Sequence, residues 1–186
     1  EGVSNEPYEF AFFEGENTVE FIGISTDLLI SSVTLEGAAE PESYENYSAA
    51  VSGGKSADKA NPVIIQGEKM KYRSDSSIVP MEDRSHAETV PSDPVLTRYN
   101  TVGDYNWQTE GQWIYWEFEI KTEGYYNIGM RVRQNYHRGY ASSRKIYIDG
   151  AVPFKELSQI DFNYASSWYF KTLGNGVKDY GFYFTK

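Results

Sequence analysis

The sequence predicts an all-β fold, an antiparallel β-sandwich, and three observations carry that reading. Residues 111–150 contain two long runs in period two. In the first, Ile114, Trp116, Phe118 and Ile120 alternate with Trp113, Tyr115, Glu117 and Glu119; in the second, Tyr126, Ile128, Met130 and Val132 alternate with Asn127, Gly129, Arg131 and Arg133. Such alternation puts one apolar and one polar face on each strand. The runs are separated by turn residues, Thr122-Glu123-Gly124, and a later strand from Lys145 to Asp149 ends in the turn dipeptide Asp149-Gly150. No segment keeps a helical apolar period over three turns.

The opening residues 8–35 read as two or three strands. Phe10 and Phe12 alternate with Glu9 and Ala11, Glu14-Gly15-Glu16-Asn17 makes a hairpin turn, and Val19, Phe21, Leu28, Ile30, Val33 and Leu35 continue the pattern. Residues 37–62 are rich in Ala, Ser, Gly and Glu and read as a linker. One helical turn is expected within it, around Glu42 to Ala50, with Tyr44 and Tyr47 pinning it to the domain. The main domain then covers residues 63–186. Val63-Ile64-Ile65 opens a strand running through Met70, residues 72–94 form a long loop, Val95–Tyr99 is a short strand, and Trp168–Lys171 and Tyr180–Thr185 are further strands. Long loops inside small domains are often functional.

The last strand, Tyr180-Gly181-Phe182-Tyr183-Phe184, echoes Tyr8-Glu9-Phe10-Ala11-Phe12 near the start. Residues 1–36 therefore read as tail strands of a β domain. They could complete the sheet within one molecule, or between two in a strand-swapped dimer.

Composition narrows the function. Aromatics are 16% of the chain, with 16 Tyr and 4 Trp, a density that suits strands and surfaces facing sugars or peptides. A net charge of −10 argues against nucleic acid, whose phosphates need a basic footprint. The absence of cysteine removes disulfides, zinc–thiolate sites and thiol catalysis together. No run approaches the ~20 apolar residues of a membrane span.

Several motifs resemble one family. Gly111-Gln112-Trp113-Ile114-Tyr115-Trp116 with Gly124-Tyr125-Tyr126 is similar to the "G-x-W-x-x-W/Y … G-x-Y" centre of galactose-binding-like jelly rolls. Arg144-Lys145-Ile146-Tyr147-Ile148-Asp149-Gly150 resembles their "R-x-x-x-x-D-G" strand, Ile65-Gln66-Gly67-Glu68 their opening strand, and Gly15-Glu16-Asn17-Thr18-Val19 their closing one. Within that fold the chain resembles carbohydrate-binding modules of large bacterial extracellular proteins, including those fused to solute-binding proteins of ABC importers. Those share a "Q-N … G … S-S-R" loop, here Gln134-Asn135, Gly139 and Ser142-Ser143-Arg144. They also share an "I-D-G-x-x-P-F-x-E" strand, here Ile148-Asp149-Gly150, Pro153-Phe154 and Glu156. The resemblance implies a jelly-roll fold and a glycan or oligosaccharide partner. It also implies a structural calcium held by oxygen ligands, with Glu68 at the matching position and Asp149 as the other donor.

Catalysis finds little support. His86 and His137 are the only histidines, and no nucleophile motif surrounds either. Glu117 and Glu119 share a strand face about 7 Å apart, within the range of a glycosidase pair, but alternating glutamates are ordinary on an exposed sheet. Binding has more candidates. Trp107, Tyr136, Tyr140 and Trp168 stand in loops outside the alternating positions, with Asn100, Gln134, Asn135, Arg138 and Arg144 beside them in sequence. Flat rings take the C–H faces of sugars, and amides and guanidinium groups take their hydroxyls. Loops at one end of a sandwich converge, so these residues could form one site. Each also has a structural alternative: Trp107 and Trp168 as anchors at the core edge, Arg144 as a partner of Asp149 or Glu117, Tyr140 as a cover for the sheet end. The function expected is that of a non-catalytic, extracellular carbohydrate-binding module of a larger secreted bacterial protein. The alternative is a structural or protein-interaction β-sandwich without a sugar site.

Overall fold

The structure, a computed structural model, describes residues 12, 14–35, 37, 40–57, 62–85 and 88–185. The chain divides into two units, one of residues 4–40 and one that takes in Pro41–Lys186.

In the smaller unit the described residues form neither helix nor strand. Phe21, Ile24, Leu28 and Leu29 are all exposed. The expected strands therefore do not form among residues 14–35, where no neighbouring strand takes up the backbone hydrogen bonds. Tyr8–Ala11 and Phe13, the first half of the expected hairpin, lie outside the described residues.

The larger unit is β-rich, built from paired strands with one short helix. The strands are β1 (Tyr72–Arg73), β2 (Pro80–Met81), β3 (Thr101–Val102), β4 (Ile114–Tyr115), β5 (Gly124–Asn127), β6 (Gly129–Gln134), β7 (Ser142–Arg144), β8 (Ile160–Phe162), β9 (Ala165–Thr172) and β10 (Gly181–Phe184). They form five two-stranded antiparallel ladders: β1 with β4, β2 with β3, β5 with β10, β6 with β9 and β7 with β8.

The alternation read from the sequence is present in the packing. Ile128, Met130 and Val132 pack against the core, while Asn127, Gly129 and Arg131 are exposed. The long runs, however, are broken. The first pairs only at β4, and the second is divided at Ile128, whose carbonyl accepts from Leu173 N–H (2.9 Å). Asp149 (φ 52°) and Gly150 (φ 79°) form the expected tight turn, with both residues at positive φ and Ile148 bridged to Ala151. The ladder beside that turn lies earlier than expected, at Ser142–Arg144 rather than Lys145–Asp149. Val63–Ile65 is exposed and unpaired, and the chain there turns into a 3₁₀ segment, Gly67–Lys69, whose Gly67 carbonyl accepts from the Trp116 indole (3.0 Å). Trp116 is thus half-buried at this contact rather than in the core. Val95–Tyr99 likewise forms no strand, and pairing starts two residues after it, at β3.

Residues 41–57, expected as linker, are part of the domain. Helix α1 (Tyr44–Ala50) starts at Ser43, whose hydroxyl accepts the Asn46 N–H (3.3 Å). The Glu156 carboxylate accepts the Tyr44 N–H (2.9 Å), a negative charge at the positive end of the helix. Tyr44 is buried with Phe154, Leu157, Ile160, Phe162, Leu173, Tyr180 and Phe182, and this group is the core. Two of its ring pairs meet edge to face, Tyr44 with Phe154 at 4.9 Å and Phe154 with Tyr180 at 5.1 Å. Such pairs add about 0.5–1.5 kcal/mol each beyond the area they bury.

The helix also completes an edge. In β10, alternate residues bond to β5, so the N–H groups of Gly181 and Tyr183 point away from it. Gly181 N–H donates to the Tyr44 hydroxyl (2.9 Å) and Tyr183 N–H to the Tyr47 hydroxyl (3.1 Å). Tyrosines three apart share a helix face and so reach strand positions two apart. On the far side of β5, Lys55 O accepts from Tyr125 N–H (2.9 Å) and Ala57 N–H donates to Tyr125 O (3.1 Å). That approach requires glycine at 124, where φ is +155° and a Cβ would lie 2.8 Å from Lys55 O.

Tyr44→Phe keeps the ring and removes the acceptor from the Gly181 N–H. It is expected to cost about 1 kcal/mol in urea unfolding, the scale of losing one partly buried hydrogen bond, and to speed amide exchange at Gly181. An unchanged exchange rate would show that the hydroxyl does not hold the strand.

Candidate functional site

Two aromatic–arginine pairs frame the candidate ligand face, and local backbone features position both. The β6–β9 register shifts between Val132 and Gln134, which pair with Tyr169 and Ala165. Arg133 alone therefore lies opposite Ser166, Ser167 and Trp168. This bulge re-aims Trp168 so that its ring lies 5.0 Å from the Arg133 guanidinium. Arg133 also pairs with Asp83 (2.8 Å), to which the Trp168 indole donates (3.3 Å).

Asp83 is held in place by Asn100. The Asn100 side chain accepts the Asp83 N–H (2.8 Å) and donates to the carbonyls of Asp83 (2.9 Å) and Pro91 (2.8 Å). Burial opposes the Asp83 charge. Hydrogen bonds from the Ser85 side chain and backbone, the Arg133 charge and the Trp168 N–H outweigh it, so the carboxyl titrates below its usual range.

The second pair is Arg144 on Trp107, with the guanidinium 4.3 Å from the ring centre. Trp107 ends a 3₁₀ segment, Asp104–Asn106, entered through Gly103. Gly103 has φ +111°, and a Cβ there would meet Trp107 at 3.4 Å. The indole N–H donates to Gln112 O (3.0 Å). Arg144 donates to Ser143 O (2.8 Å) and Trp107 O (3.3 Å), and burial pulls its pKa down. Among the described residues it has no carboxylate within ion-pair distance, so it pairs with neither Asp149 nor Glu117. Glu117 instead meets Lys71.

Tyr136 joins the same 3₁₀ segment. Its ring packs edge-on to Tyr105 at 5.8 Å. Its hydroxyl bonds to Asp104, and that hydrogen bond, with a smaller contribution from burial, pushes its pKa up to about 12. Tyr105, Tyr136 and Tyr140 are exposed, so these phenol rings are open to solvent.

The predicted ligand residues thus take three different roles. Trp107 and Trp168 are half-buried supports for arginines. Asn100 is buried, and Gln134 ties its own loop together, accepting from Tyr136 N–H (3.2 Å) and donating to Tyr140 O (2.9 Å). Asn135, Tyr136, Arg138 and Tyr140 are exposed on the loop, and Arg144 is half-buried beside Trp107. Sequence reasoning missed Asp83, Arg133, Asp104 and Tyr105. Of these, Asp104 had a local signal, since Gly103 precedes it; Arg133 looked like one more outward residue of an alternating strand.

The two residues expected as calcium ligands, Glu68 and Asp149, differ in setting. Glu68 is buried and its Oε2 has no hydrogen-bond partner among the described residues, which fits a metal anchor. Asp149 is exposed in its turn and lines a cleft of about 210 Å³ with Tyr47, Pro153 and Phe182. Among the described residues no group of three or more acidic or histidine side chains gathers. Of the two histidines, His137 is exposed and His86 lies outside the described residues. No helix among the described residues is long and apolar enough to cross a membrane.

Comparison with protein-family models, curated proteins and solved structures finds no match to this chain.

Because the Tyr136 pKa is raised, its neutral form is favoured in the fold. The stabilisation is full below the unfolded pKa of about 10. It is lost as pH rises through the folded value of about 12. Ultraviolet titration of Asp104→Asn is expected to show one tyrosine returning towards the ordinary value; no change would remove Asp104 as the cause.

Proposed function

We propose that this chain is a non-catalytic carbohydrate-binding module of a larger extracellular bacterial protein, with its paired strands belonging to a galactose-binding-like jelly roll. The observation that carries the reading is the exposed ring pair Tyr105 and Tyr136, with Tyr140 exposed on the same loop as Tyr136, together with the arginines stacked on Trp107 and Trp168. Open phenol rings suit the C–H faces of a sugar, and fixed guanidinium groups suit its oxygens. Asp83 beside them pairs with Arg133, and Asp104 bonds to the Tyr136 hydroxyl.

A structural calcium belongs to the same reading, with Glu68 as its buried carboxylate; its other ligands would be carbonyl or water oxygens. Calcium is then expected to raise the melting temperature of the protein, and Glu68→Ala to abolish the rise. A melting temperature indifferent to calcium would remove the metal from the proposal.

A protein-interaction domain is favoured instead by one feature, the exposed apolar side chains of residues 19–35. Glycan-array screening followed by calorimetry separates the two. On the carbohydrate reading Tyr136→Ala weakens binding by about tenfold or more, the scale of losing one aromatic platform. Trp107→Ala does so indirectly, by releasing Arg144. Retained affinity in both variants would mean that the sugar binds elsewhere or that this face has another use.

A further inference from the structure

We infer that the glycan this face takes is acidic, and that Arg144 grips a sugar carboxylate; the inference rests on the carbohydrate reading above. Residues 124–148 contain Arg131, Arg133, Arg138, Arg144 and Lys145 and no Asp or Glu, in a chain whose net charge is −10. Local cationic character of this kind stands against the charge of the whole molecule.

The structure then separates the arginines by partner. Arg131 pairs with Glu88 and Arg133 with Asp83. Arg144 and Arg138 pair with no carboxylate among the described residues. Arg138 is exposed, so water solvates it at little cost. Arg144 is half-buried, and two of its N–H groups go to main-chain carbonyls. A guanidinium has five N–H donors, so part of the fork remains.

The acids near this face are engaged elsewhere. Asp104 accepts from the Tyr105 N–H (2.6 Å) and bonds to the Tyr136 hydroxyl. Asp161, on the strand paired with β7, accepts from the Ser143 hydroxyl (2.6 Å) and the Gln159 amide (3.2 Å). Asp83 serves Arg133 and the Trp168 indole.

A partly desolvated cation without an anion is destabilising, and a bound carboxylate removes that penalty. Stacking on Trp107 fixes the guanidinium plane and so prepares it for bidentate contact with a planar carboxylate. A neutral sugar would use the tyrosines but leave the Arg144 charge uncompensated. The ligand chemistry that satisfies both is a uronate-bearing polysaccharide.

The test compares polygalacturonate with the same polymer methyl-esterified, which keeps the sugar and removes the charge, by affinity electrophoresis and calorimetry on the full chain. The acid form is expected to bind about tenfold or more tightly than the ester, the scale of one charge-assisted contact. Arg144→Gln should erase that difference, with the acid form losing the larger share and falling to the affinity of the ester. Arg144→Lys keeps a cation over Trp107 but loses the planar fork, and should also lose most of the preference.

Equal binding of the two polymers, still sensitive to Tyr136→Ala, would overturn the acidic ligand and leave the carbohydrate reading standing. An equal loss with Lys69→Gln, an exposed cation on the Gly67–Lys69 segment, would show diffuse attraction and overturn the role of Arg144. Failure to bind either polymer, with no hit among neutral glycans, would overturn both readings.

Discussion

The larger unit depends on how its last strand is closed. β10 carries Phe182 at the centre of the core and has a ladder partner on one side only, β5. A strand edge with free N–H groups is both a cost and a hazard, because it offers a template to another chain. Here side chains supply the missing acceptors. The hydroxyls of Tyr44 and Tyr47 reach residues more than 130 positions away in sequence, and the same two rings pack on Phe154. One residue type supplies apolar area and a hydrogen-bond acceptor together, as tyrosine can when its ring is buried and its tip is not. The helix that carries them is only two turns long and would be marginal alone; its position comes from packing and from Glu156 at its start.

A comparable division of labour runs through the candidate site. Each tryptophan there has one face under a guanidinium and its N–H in a hydrogen bond. Their large rings hold arginines in place, and the smaller, exposed phenols face solvent. The two arginine stacks differ in one respect, the presence of a carboxylate. Arg133 with Asp83 is a closed pair that ties the loop after β2 to the β6–β9 ladder. Arg144 lies over its ring in the same way but has no carboxylate partner among the described residues.

Much of the β-rich character was legible in the sequence, because period-two alternation reports directly on faces: the residues from Ile128 to Val132 pack as their spacing indicates. The Asp149-Gly150 turn was legible for the same kind of reason, since a local rule about positive φ needs no distant partner. Pairing was less legible. Whether Val63–Ile65 or Val95–Tyr99 becomes a strand depends on a neighbour that no local pattern names. Helix α1 could be placed, and its tyrosines identified as pins, but its composition of Ser, Ala and Glu resembles a linker. At the site, the loop residues came from aromatic and polar type alone. That signal cannot tell a platform from a support, so Trp107 and Asn100 were grouped with Tyr136 although one is covered and the other buried. The β9 bulge that brings Trp168 onto Arg133 had no sequence signature at all.

The placement of α1 also sets the smallest piece of this chain that could fold by itself. A version begun at Pro62, where composition changes, would keep every named strand and most of the core. It would nevertheless lose the Tyr44 and Tyr47 hydroxyls and the Lys55–Ala57 backbone, and so leave both sides of the β5–β10 pair open. Dissection at that point would yield a sticky sheet, whereas a cut before Pro41 would keep the edges covered. The division between the two units therefore falls near the start of the stretch expected as linker, residues 37–62, and not at its end.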